Sequence, residues 1–453
     1  MQAIRRVPDI NAMGTKPGWL GPTQLELYIT ECASTSAFYS GQWATDPERE
    51  SSVTSRERVL CAINHQEPDR VPIDLGATRQ SGIAASAYHR LKEYLGIKTP
   101  TQVVDLIQFL AEVEKPVRDR FGVDAVGVFR PETNPGIGIR RGHWKPWRLF
   151  DRTPVEVPGD FNPVAEPEGG YAILRDGVPV ARMPKDGFYF DRVEKFPGAA
   201  HIDVDKWEPH RWTSEELEFV HAQAEWLYEN TEYALVSCVN PPQEFFTSMG
   251  TGDFEAWWST LAIEPEYVHA LFEKNTEVWI SNLKRFAGSV GDKVQILQLT
   301  DDFGTQESLL LSVKMFRDLI LPYYKRGLDW VHQNTKMKVL LHSDGALFSL
   351  IPSLIEMGVD ILNPVQVNAK GMDPQALKKE YGGRIAFWGG AADCQQTLPF
   401  GKPEDVAREV EANVNALAPG GGFVCAAVHN IQTGVPPENI VALFDTARCA
   451  SLH

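Results

Sequence analysis

The sequence predicts an α/β protein, a single (β/α)8 TIM barrel, and three observations carry that expectation. Eight short apolar runs alternate with helical patterns from residue 71 onward, as parallel strands joined by crossover helices require. The runs end on polar or glycine-rich tips, most clearly in Lys338-Val-Leu-Leu-His-Ser-Asp-Gly345. Buried parallel strands read as apolar throughout and present polar groups at the mouth of a barrel. No Gly-x-Gly-x-x-Gly follows a strand, which weakens the alternative of an open doubly wound sheet.

In chain order, residues 1–52 carry Gly, Pro, Ser and Thr with little periodicity and read as an N-terminal extension. Thr54-Ser-Arg-Glu57 is a capping box that opens a helix to about His65. Strands are expected over 71–75, 124–129, 233–239, 294–300, 337–342, 359–363, 385–389 and 422–427. Helices fill the gaps over 84–95, 102–120, 213–229, 264–287, 312–333, 346–357, 374–381, 403–417 and 436–450. In the helix over 312–333, Met315, Phe316, Ile320 and Tyr323 fall near one stripe.

Residues 130–212 break the alternation and read as a β-rich insertion after the second strand. They are rich in Pro, Gly and aromatics, among them His143, Trp144, Trp147, Phe150, Tyr171, Phe188, Tyr189 and Phe190. Tyr171–Arg175 and Val178–Arg182, joined through Asp176-Gly177, have the pattern of a β-hairpin. Such an insertion either covers the barrel mouth or packs on its flank. Gly420-Gly-Gly422 precedes the eighth strand, whereas phosphates sit at the other end of strands. That triplet therefore reads as a tight helix-to-strand turn.

Composition narrows the function classes. The chain of 453 residues carries a net charge of −16, with no basic stripe for nucleic acid. No run approaches the roughly 20 apolar residues of a membrane span. No apolar core follows Arg5 and Arg6, so no signal peptide is expected. The six cysteines are scattered without a CxxC pair and read as free thiols of a cytoplasmic protein.

Barrel chemistry sits at the C-terminal strand ends. Those ends offer Asp74 and Arg79 (first strand), Asn240 (third), Asp301 and Asp302 (fourth), and His342 and Asp344 (fifth). They continue with Asn363 and Gln366 (sixth), Trp388 (seventh), and Cys425, His429, Asn430 and Gln432 (eighth). Two histidines and a carboxylate are a common zinc set with an open position. The alternative is a pair of hydrogen-bonded histidines in a polar pocket. Arg79 is either an anchor for a substrate carboxylate or half of a salt bridge. Adjacent strand residues point to opposite faces, so at most one of Asp301 and Asp302 faces the pocket.

The segments TSRERVLCAINHQEPDRVPIDLG, VDILNPVQ, GRIAFWGGAAD and PGGGFVCAAVHNIQTGVPPENI resemble the uroporphyrinogen decarboxylase-like superfamily. The resemblance implies a single (β/α)8 barrel over residues 53–453 and a homodimer. It also presents two chemistries. True decarboxylases carry an arginine motif close to RQAGRY and an FSD near the second strand. Here the corresponding stretches read ATRQSGI, with Arg79 alone, and DAVGVFRPE, with no aspartate after Phe129. The other branch, methyltransferases that work with corrinoid proteins, binds zinc through HxC after the fifth strand and a cysteine after the eighth. Here the matching residues are His342-Ser-Asp344 and His429, a harder set suited to polarising oxygen and open to another divalent metal. Cys425 is an alternative third ligand.

The resemblance thus implies a methyltransferase moving a methyl group between a methoxy-type small molecule and a corrinoid on a partner protein. Asp302 or Asp344 would be its acid or base, and Asp74, Arg79, Asn240, Asn363, Gln366, Trp388 and Asn430 would surround the substrate. A metal-independent decarboxylase and a non-catalytic binding protein are the competing readings.

Overall fold

Seven parallel strands lie side by side in chain order: Ala125–Val128, Ala234–Cys238, Ile296–Thr300, Lys338–His342, Ile361–Asn363, Ala386–Trp388 and Phe423–Val424. The segment around Ile73 closes the ring. Ile73 bridges Cys425 in parallel. The Cys425 amide donates to Pro72 O at 2.8 Å, and the Asp74 amide donates to Cys425 O at 2.8 Å. On the opposite edge the Asp124 amide donates to Ile73 O at 2.7 Å. The expected first strand therefore occupies the eighth position of the barrel. The computed structural model describes residues 53–131, 144–187, 189–192, 199–249 and 253–450. The expected N-terminal extension and two of the insertion's aromatics, His143 and Phe188, lie outside them.

The barrel is filled by side chains that alternate inward. Ala125, Ala234, Val236, Ile296, Leu340, Ile361, Ala386, Trp388, Val424 and Ala426 form one buried cluster. Helix Ser55–Ile63 sends Val59 and Ile63 into the same cluster. Its capping box is formed as the sequence predicts, with Thr54 and Glu57 bonded reciprocally. Strand periodicity carries this inward set to the mouth: Leu340 leads to His342, Ile361 to Asn363, Ala386 to Trp388.

At the opposite end Asp124, fully buried, holds the closure together. It accepts from Arg58 at 2.7 Å, from Arg70 at 2.7 and 2.9 Å, and from the Ile73 amide at 2.9 Å.

Two expected helices differ. Residues 102–120 hold a short antiparallel pair, Val103–Asp105 with Leu110–Ala111, and then helix Lys115–Phe121. The cause is local. The Asp105 carboxylate accepts from the Ile107 and Gln108 amides at 2.9 and 2.7 Å, an Asx turn that competes with the helix. Residues 312–333 contain a π turn at Phe316–Ile320 before helix Leu321–Asn334. Pro322 lacks an N–H to continue the ladder. Phe316, Ile320 and Tyr323 of the expected stripe are buried, whereas Met315 is half-buried. A further helix, Phe254–Ile263, has no counterpart among the expected elements.

Helix Leu321–Asn334 meets helix Pro265–Val290 at Gly327, where a Cβ would lie 2.1 Å from the Trp279 ring. Trp279 is fully buried and its Nε1 donates to Val239 O at 2.9 Å, so the ring has nowhere to go. Gly327→Ala is therefore expected to lower unfolding free energy by about 1–3 kcal/mol despite the better helix propensity of alanine. Urea denaturation reads this directly, and an unchanged midpoint would show that the ring yields.

In the insertion, Trp144–Arg148 pairs with Pro154–Pro158, and Gly170–Arg175 pairs with Val178–Pro184 through Asp176-Gly177. Both turn residues have positive φ, 51° and 78°, as a two-residue hairpin needs. Phe161 and Phe190 pack against Phe109, with ring centroids 6.2 and 5.9 Å away. The Phe190 amide donates to Ile107 O at 3.1 Å.

Candidate metal centre

His342 ends the fifth barrel strand and points inward. Asp344 follows on a turn where Gly345 has φ +102°. A Cβ there would lie 2.4 Å from Gly304 C, so this close approach of the loops after the fourth and fifth strands requires glycine. His429 arrives on the loop after the eighth strand. Its amide donates to Cys394 Sγ at 3.4 Å, and that thiol donates to His429 O at 3.1 Å.

These three residues converge. His342 Nε2 lies 4.0 Å and His429 Nε2 3.9 Å from Asp344 Oδ2. One donor atom from each falls within 4.8 Å of the others, wider than the roughly 3.4 Å between ligands of a tetrahedral ion bound at about 2 Å, so the three side chains would draw together around a cation. The tautomers fit as well. His342 Nδ1 lies 2.7 Å from Asn363 Oδ1, and Asn363 Nδ2 donates to Trp388 O at 2.9 Å. His429 Nδ1 lies 2.8 Å from Asn430 Oδ1, and Asn430 Nδ2 donates to Gln108 Oε1 at 2.5 Å. An amide oxygen only accepts, so each Nδ1 carries the proton and each Nε2 turns a lone pair toward Asp344. Burial pulls the His429 pKa down, which favours the neutral ring that ligation needs.

The two fourth-strand aspartates divide as strand alternation requires. The Asp301 carboxylate is buried and accepts from the Phe246 and Thr247 amides at 3.0 and 2.7 Å and from the Tyr324 hydroxyl at 3.0 Å. Burial pushes its pKa to about 7. Asp302 faces the centre: its Oδ1 accepts from the Asp344 amide at 3.0 Å. Burial pushes its pKa up, opposed by His342 and reinforced by Asp344. Thr247 Oγ1 accepts from the Asp302 amide at 2.9 Å. The structure thus brings Asp302, His342, Asp344, Asn363, His429 and Asn430 together.

The remaining candidates are held elsewhere. Trp388 does not wall an open pocket: it is fully buried in the barrel, and its Nε1 donates to Asp74 Oδ2 at 2.8 Å. The same burial raises the Asp74 pKa to about 6. Gln366 Oε1 accepts from the Gly345 amide at 2.7 Å and braces that turn. Asn240 bonds Glu244 at 2.5 Å and Thr300 at 2.6 and 2.9 Å. Arg79 is ion-paired with Asp105. It and Phe129 line both a cavity of about 330 Å³ beside the first and second strands and one of about 350 Å³ near Asn240. His342, Asp344 and His429 line neither. Cys425, the alternative ligand, lies between inward Val424 and Ala426 and so faces outward. Gln108, Thr247 and Cys394 escaped sequence reasoning, because none is at a strand tip or in a recognisable motif.

The barrel and its strand-end site meet a family description. Residues 191–449 match the sequence model of the family described as uroporphyrinogen decarboxylase (URO-D). The chain belongs to the uroporphyrinogen decarboxylase family. It is 25% identical over 417 residues to uroporphyrinogen decarboxylase 2, chloroplastic, of Arabidopsis thaliana, covering 90% of each chain. It is 25% identical over 222 residues to the uroporphyrinogen decarboxylase of Pseudomonas fluorescens strain SBW25, spanning 48% of this chain and 58% of that one. Among solved structures, a methyltransferase from Methanosarcina mazei superposes with a TM-score of 0.49 at 16% identity, covering 87% of this chain and 98% of that one. The relatives that this uroporphyrinogen decarboxylase family member matches in sequence carry the decarboxylase name.

Proposed function

We propose that the protein is a metal-dependent methyltransferase. It would take a methyl group from a methoxy-type small molecule and pass it to a corrinoid carried by a separate protein. The observation that carries this reading is the convergence of His342 Nε2 and His429 Nε2 on Asp344 Oδ2, with both Nδ1 atoms pinned by amide oxygens. His342, Asp344 and His429 would hold zinc or another divalent metal. Bound there, the cation supplies Lewis acidity to the donor oxygen.

The chain's own contribution is protonic and positional. In the transfer the methyl carbon–oxygen bond breaks, and its electron pair stays on oxygen. The new carbon bond is made to the electron pair of the partner's cobalt(I). Asp302, raised by burial beside Asp344, gives the departing oxygen its proton. Asp302→Asn is therefore expected to slow methyl transfer by about 10²–10³-fold with metal content unchanged.

The experiment is methylation of free cob(I)alamin by the purified protein, followed by absorbance across a panel of methoxy compounds. Turnover with any of them supports the reading; none with all of them argues against it. A carboxy-lyase is the second reading, favoured by the name of the relative matched over nearly its whole length. The pairing of Arg79 with Asp105 and the lack of an aspartate after Phe129, where the chain reads Arg130-Pro131, weigh against it. Decarboxylation indifferent to chelators would be its mark.

Five cysteines among the described residues are free, in keeping with the cytoplasmic reading. No helix among them is long and apolar enough to cross a membrane.

A further inference from the structure

The first barrel segment and the second strand part company above the Asp124 seam. Among the described residues, the bond from the Asp124 amide to Ile73 O is the one backbone hydrogen bond between them. Beyond Ile73 the first segment folds back on itself. The Asp74 carboxylate accepts from the Ala77 amide at 2.8 Å, and the Gly76 amide donates to Ser81 O at 2.9 Å. A turn that satisfies its own backbone offers the neighbouring strand no ladder. The space left beside it is the cavity of about 330 Å³, the size of a small-molecule site.

Its walls are largely apolar, with Leu75, Leu110, Val113, Val126, Phe129 and Leu227 among them. Its polar side chains are donors with hydrogens to spare. The Phe129 amide donates to Gln223 Oε1 at 2.7 Å, which fixes the direction of that amide. Gln223 Nε2 therefore carries two hydrogens that have no partner among the described residues. Arg118 donates from Nη1 to Val113 O at 2.8 Å, but its buried Nε has no partner among them. Arg79 commits Nη1 to Asp105, and its Nε and Nη2 have none there either. The acceptors, in contrast, are occupied. Asp105 takes the Ile107 and Gln108 amides besides Arg79, and Glu112 has a partner of its own. Spare donors in an apolar cavity suit a ligand with a flat hydrocarbon body and an acceptor group, best a charged one.

We propose that this cavity binds an aromatic carboxylate, its one or two fused rings against the apolar walls and its oxygens met by the spare donors of Gln223, Arg118 and Arg79. His342, Asp344 and His429 do not line it, so the site stands whether or not the centre holds a metal.

The test is calorimetry of the full chain with 2-naphthoate and with neutral 2-naphthalenemethanol, each with and without a chelator. One saturable naphthoate site per chain is expected, indifferent to the chelator, with the alcohol about 10-fold weaker. Gln223→Glu keeps the acceptor for the Phe129 amide and replaces the spare donors with a carboxylate oxygen. It is expected to weaken naphthoate about 10-fold and to spare the alcohol. Leu227→Trp, which fills the cavity, is expected to abolish both, and thermal melting as in the parent shows that each variant is folded. No saturable naphthoate binding to the parent, binding that the chelator removes, or binding that both folded variants keep would overturn the proposal. An alcohol bound as tightly as the acid would overturn its assignment to a carboxylate.

Discussion

His342→Ala is expected to empty the metal centre and abolish methyl transfer while the fold persists. His342 is 4% exposed at the end of a barrel strand, with its Nδ1 already committed to Asn363. It has the least freedom of the three ligands, so no neighbour can replace it. Loss of an outer hydrogen bond to a ligand weakens metal binding about 10–100-fold, and loss of the ligand itself should exceed 100-fold. Leu340 and Ile361 still pack the barrel below, so thermal melting of the metal-free forms should nearly coincide. Paired measurements of metal content and methyl transfer check this. A variant that keeps its metal, or stays active without it, would place the centre elsewhere.

Asp124→Ala is expected to be the most destabilising single change discussed here, by about 3–5 kcal/mol. The carboxylate has no exposure and receives both Arg58 and Arg70. Removing it takes a charged partner from buried Arg58, which keeps Asp69 and the Val53 carbonyl, and releases the Ile73 amide. The loss therefore falls on the seam where the first barrel segment meets the second strand. Asp124→Asn keeps the shape and one acceptor, and should cost less. Guanidinium denaturation ranks the three proteins. An alanine variant within 1 kcal/mol of the parent would show that water readily satisfies these arginines.

Local signals were legible in the sequence wherever one short stretch determines the outcome. The Thr54–Glu57 capping box and the Asp176-Gly177 hairpin need no distant partner, and both form as read. The later barrel strands are apolar because both faces are covered, and they too fall where expected. Residues 102–120 misled because Asp105 spends its carboxylate on two backbone amides, an outcome that apolar periodicity does not register.

The site divides in the same way. Strand-tip placement singled out His342, Asp344 and His429, which the structure brings within reach of one cation. It also singled out Trp388, whose indole the barrel keeps for its own core. Asn430, which orients His429, is itself held by Gln108. Only the closure of the barrel brings those two together, so no spacing announces Gln108.

The most direct test of the metal centre is the metal content of the purified parent protein, measured by plasma mass spectrometry beside His342→Ala and His429→Ala. One divalent ion per chain in the parent, lost from both variants, is the predicted result. A folded parent without metal, unable to take up zinc or cobalt(II), would contradict it.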